Sequence, residues 1–168
     1  MTFTSAAPAV VLTYCSGSAS SPTDPFGQNT LELRGDGVAT LENLFHGDRT
    51  VWTGVISPST VDELGQVLEQ AAFPKVPPHR IPAGSSLREV TLSAKGETLS
   101  TAIAWHAPHE VAEMAQYKHL FEILDSLVYQ VSESTMQATS NFLPGLVSET
   151  KKIYPPTQTS SALPPSIK

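Results

Sequence analysis

Three glycine-containing breaks constrain this chain more than any other feature. Gly35-Asp36-Gly37 separates the run 30–34 from the run 38–44, His46-Gly47-Asp48 separates the latter from 50–56, and Lys95-Gly96 separates 87–94 from 98–105. The flanking runs alternate: Leu31 with Leu33, Val51 with Thr53 and Val55 opposite Trp52, Val90 with Leu92, and Leu99 with Thr101, Ile103 and Trp105. Period-two alternation around a short glycine turn predicts antiparallel hairpins, because the turn needs positive φ and glycine adopts it without a Cβ clash. The run 10–15, with Val10, Leu12 and Tyr14 on one face, predicts a further strand before them.

Two segments switch to helical spacing. Ser57-Pro58 predicts a helix start, since the serine can accept from free backbone N–H groups and proline at the first position forfeits no hydrogen bond. Val61, Leu64, Leu68 and Ala71 then recur on one face, and the helix stops near Phe73-Pro74. The second helix is read as one piece from the His106–Glu110 region to about Ser132. Its stripe is Val111, Met114, Tyr117, Phe121, Leu124, Val128 and Val131, widened by Leu120, Ile123 and Leu127. The order β-β-β-β-α-β-β-α predicts an α+β domain over residues 1–133, an antiparallel sheet of about six strands with both helices packed on one face. Residues 1–7 are small and polar and predict a frayed lead-in, and 134–168, proline-rich towards its end, reads as a largely disordered C-terminal extension.

Charge narrows the function. The 168 residues carry a formal net charge of −6 and 15% charged residues. That balance opposes binding to nucleic acid or anionic lipid, and no apolar run is long enough to span a bilayer. The lone Cys15 excludes an internal disulfide and favours a reducing, cytoplasmic location. A lipid-anchored Cys15 would want a basic leader and small residues before the thiol. No Lys or Arg precedes Arg34, and Tyr14 is large, so the first strand is the better reading.

No phosphate-binding glycine loop, nucleophile elbow or zinc-protease His-Glu-x-x-His pattern is present. One constellation could carry metal chemistry: His109 and Glu113 stand at i and i+4 of the second helix, with His106 reaching in from the preceding loop. A solvated helix start accounts for the same letters. The clearer signal is the distribution of acids. The first helix carries −3 and the second −4, leaving about +1 for the rest of the chain. Glu110, Glu113, Glu122 and Asp125 would then form an acidic docking surface for a basic partner. Phe26, Ile81 and Leu87, in and beside the two long loops, could anchor such a partner.

Several segments together resemble a known group. They are Val11-Leu-Thr-Tyr followed by Gly17, Leu31-Glu-Leu-Arg-Gly-Asp-Gly-Val38, Trp52-Thr-Gly-Val-Ile-Ser57, Val61-Asp-Glu-Leu64 and Ala72-Phe73-Pro74. Over roughly residues 9–105 the chain is similar to the emfourin-like small bacterial metalloprotease inhibitors, with Cys15-Ser-Gly-Ser standing where those proteins carry a Gly-Gly-Phe stretch. The resemblance implies a bacterial inhibitor. Joined to the acidic helices and missing chemistry, it gives the expectation of a non-enzymatic, cofactor-free inhibitor or immunity-type protein that covers the active site of a protease or toxin. The alternative is a small metal-dependent enzyme using His106, His109 and Glu113.

Overall fold

Six strands form one antiparallel sheet. The computed structural model describes residues 1–7, 9–17, 27–83 and 85–134; the expected C-terminal extension lies outside the described residues. Strands β1 (Val11–Gly17), β2 (Gln28–Arg34), β3 (Val38–Phe45) and β4 (Asp48–Val55) build a meander outward from β1. Helix α1 (Pro58–Gln70) then carries the chain back, and β5 (Leu87–Ala94) pairs with the free side of β1, with β6 (Glu97–Ala104) beyond it. The turns obey the chemistry read from them. Gly37 sits at φ 87°, its N–H donates to the Arg34 carbonyl at 2.9 Å, and His46-Gly47 and Lys95-Gly96 have positive φ at both positions.

Register places every expected inward residue on one face. Leu92, Leu12, Leu33 and Ala39 form one cross-strand row, and Val90, Tyr14, Leu31, Leu41 and Trp52 the next. The opposite face carries a polar row of Thr53, Thr40, Glu32, Thr13, Thr91 and Ser100, with Val11, Val38, Val51 and Val55 on the same side. Helix α1 is capped as expected, Ser57 Oγ accepting from the Thr60 N–H at 3.3 Å, and it buries Val61, Leu64, Gly65, Val67 and Leu68. No helix among the described residues is long and apolar enough to cross a membrane.

Two expectations are corrected. The second helix is not continuous. A short α2 (Ala107–Glu110) ends at Val111, whose backbone is extended (φ −107°, ψ 111°), a 3-10 turn follows at Ala112–Met114, and only then does α3 (Ala115–Ser134) begin. Val111, Met114 and Tyr117 still point inward because a spacing of three residues satisfies a 3-10 turn as well as an α-helix. The lead-in is not frayed either: Phe3 is 2% exposed and belongs to the core. The Ser5 N–H and hydroxyl donate to the two Asp62 carboxylate oxygens at 2.7 and 2.9 Å, fastening the segment to α1. Gly65 permits the approach, since a Cβ there would lie 1.8 Å from the Phe3 carbonyl oxygen.

Candidate functional site

The alternation that buries Val90 and Leu92 on β5 also buries Arg88, whose side chain is 8% exposed. A guanidinium cannot be deprotonated there, so it must be compensated in place. Its Nη2 donates to Asp125 Oδ2 at 2.9 Å, and Tyr14, opposite Val90, donates its hydroxyl to Asp125 Oδ1 at 2.7 Å. The guanidinium also lies over the rings of Trp105, 3.8 Å away, and Phe121, 4.8 Å away, while its Nε has no hydrogen-bond partner among the described residues. The arrangement pins Trp105 from below while 42% of that residue stays in solvent.

Trp105 stands at the end of the β5–β6 pair, its N–H donating to the Ser86 carbonyl at 3.0 Å. Leu87, 38% exposed, pairs with Ala104 and flanks the same end from the open face of the sheet. The 74–86 connection returns here through His79. Its Nδ1 lies 3.1 Å from the Pro77 carbonyl and its Nε2 3.5 Å from the Ala104 N–H, a pattern that assigns the proton to Nδ1. Ile81, two residues on, is 50% exposed. Trp105 and Leu87 thus stand at one end of the β5–β6 pair on opposite faces of the sheet, and Ile81 follows two residues after the His79 contact there.

The structure distributes the other expected site residues unequally. Ile81 is exposed in the 74–86 connection and Phe26 lies outside the described residues. Glu110 sits on α2, exposed and 3.7 Å from His106, the residue that follows Trp105. Glu122 is exposed on α3 near Lys118 and His119, at 4.0 and 3.8 Å. Glu113, in the 3-10 turn, lines a shallow cleft of about 400 Å³ with Gln70, Lys75, Gln116 and Tyr117. Asp125 differs from the other acids: although 41% exposed, it turns both oxygens inward. The break at Val111 also removes the helical i, i+4 geometry expected of His109 and Glu113, and the described residues contain no group of three His, Cys, Asp or Glu side chains close enough to hold a metal.

Sequence reasoning missed Arg88. The signal was the alternation itself, which puts position 88 on the face of Val90 and Leu92, where a charge requires a partner.

Burial, with the Asp125 carboxylate adding to it, raises the Tyr14 phenol far above its usual range, and burial pushes Tyr117 up to about 12. Both phenols therefore bind their protons more tightly folded than unfolded. Their contribution is intact below the ordinary tyrosine value of about 10 and is lost as pH rises beyond it. Chemical denaturation at stepped alkaline pH should show stability falling above about pH 10, and Tyr14→Phe should flatten the fall.

No protein-family model matches the sequence, and the search of curated proteins returns no match.

Proposed function

We propose that this chain is a non-enzymatic protein-binding module, an inhibitor or immunity-type protein that blocks a partner's active site with its own surface and needs no cofactor. The observation that carries the reading is the half-exposed Trp105, its ring stacked on the buried Arg88 guanidinium, at the end of the sheet where Leu87 and Ile81 are exposed as well. Binding energy concentrates in a few preorganised aromatic and arginine anchors ringed by polar groups, because side chains already fixed lose little entropy on docking. Glu110 supplies an acidic rim, so the fitting partner is a protein with a basic margin around an apolar cleft, a bacterial protease or toxin. The lone Cys15 fits a cytoplasmic setting.

The test is hydrolysis of a peptide by a thermolysin-type zinc endopeptidase titrated with the purified chain, repeated with a ribonuclease toxin in place of the protease. Stoichiometric inhibition is expected for one of them. Trp105→Ala should weaken it by at least about thirtyfold, the effect of losing an anchor of about 2 kcal/mol. Glu110→Lys and Glu122→Lys are clean reporters of the acidic rim, whereas reversing Asp125 would disturb the buried arginine as well. Inhibition that survives Trp105→Ala and Glu110→Lys unchanged removes this end of the sheet from the interface.

A further inference from the structure

The two edges of the sheet differ in what surrounds them. Helix α3 packs against β3 and β4. β6 lies at the far edge. The bond from the Trp105 N–H to the Ser86 carbonyl sets the phase of the β5–β6 ladder. With the Ala94–Glu97, Leu92–Leu99, Val90–Thr101 and Arg88–Ile103 pairs in step, those β6 residues direct their backbone groups to β5. Thr98, Ser100, Ala102 and Ala104 therefore point their N–H and C=O groups off the sheet. Ala104 is met by His79, which leaves a window over Thr98, Ser100 and Ala102, all exposed, that is bare among the described residues.

None of the usual edge protections is present in that window. It has no proline, no charge and no bulge, and the side chains are small. The hydroxyls are drawn back over β5, Ser100 to Thr91 at 2.9 Å and Thr98 to Ser93 at 3.3 Å, clearing the backbone for an approaching strand. Exposed Lys95 and Glu97 flank one end of the window, and exposed Arg80 follows His79, which meets Ala104 at the other, so antiparallel pairing about a twofold axis turns Glu97 of each copy towards the Arg80 end of its partner. From these we infer that β6 is a self-association edge: two copies pair β6 to β6 antiparallel about an axis near Ser100, joining their sheets into one of twelve strands.

Sedimentation velocity of the full chain, from low to high micromolar at physiological salt, tests this. A dimer is expected. Ser100→Pro removes an outward N–H that serves no bond among the described residues, and should raise the dimer dissociation constant about a hundredfold. Ser100→Lys sets like charges against each other at the axis and should act the same way, which decides the matter if the proline variant does not fold. A chain monomeric throughout the range, or a dimer unaffected by both substitutions, overturns the inference. So does a dimer lost in Trp105→Ala and kept in Ser100→Lys, which would place the contact at Trp105 instead.

Discussion

Gly65→Ala should destabilise the protein by about 3–5 kcal/mol, as much as deleting a core aromatic, although it adds a single methyl group. The methyl would lie 1.8 Å from the Phe3 carbonyl oxygen, and backbone atoms cannot rotate away as a flexible side chain can. Either α1 lifts from its packing on Val61, Leu64 and Leu68 or the first residues leave α1. Leaving is the easier course, because that segment is held by the Phe3 ring and by Ser5 on Asp62. Once it has left, the Phe3 ring is already in water. Phe3→Ala, which alone should cost about 3–5 kcal/mol, should then add little to Gly65→Ala. Urea denaturation of the two single variants and the double variant measures this directly, with an expected coupling of about 2–3 kcal/mol. Additive losses would mean that the glycine and the phenylalanine support the fold separately and that residues 1–7 do not dock as a unit.

This docking marks the limit of what a pattern can reveal. The hairpins were legible because glycine turns and two-residue alternation are local rules, and the same rules put Tyr14, Leu31, Leu33 and Val90 inward before any tertiary contact was known. Phe3 has no periodic neighbours, and its socket exists only because Gly65, far along the chain, lets the backbone in. The interruption at Val111 was hidden for a related reason: an apolar stripe records which side chains face the core, and a 3-10 turn meets that demand as well as an α-helix does. The candidate site was half legible. Ile81 and Glu110 were named from the sequence, Trp105 was read only as an alternating strand residue, and Arg88 was missed although its alternation with Val90 was there to be read; only the fold brings Asp125 of α3 beneath β5 and turns an acid read as solvent-facing into the counter-ion of a buried base.

Asp125→Ala should therefore cost about 3 kcal/mol, far more than removal of an ordinary helix-surface acid, whose loss is worth at most about 1 kcal/mol. The cause is what remains. Arg88 is 8% exposed, lies over Trp105 and Phe121, and its Nε already lacks a partner among the described residues, so without the carboxylate a full charge sits in a poorly solvated place. The Tyr14 hydroxyl loses its acceptor in the same step. Water reaching the 41%-exposed side of Asp125 keeps the figure at the lower end of the range for broken buried pairs, about 3–5 kcal/mol. The opposite deletion should be mild. Arg88→Met keeps the volume and leaves a carboxylate that is half hydrated and still bonded to Tyr14, so a cost of about 1 kcal/mol is expected. Combining Arg88→Met with Asp125→Ala should then be less destabilising than Asp125→Ala alone, a sign reversal that guanidinium titrations of the four proteins at neutral pH would reveal. Equal losses in Asp125→Ala and the double variant would assign the effect to Tyr14 instead. Arg88→Met also separates folding from binding: the protein stays folded while Trp105 loses the cation beneath it, so partner affinity should fall more than stability does.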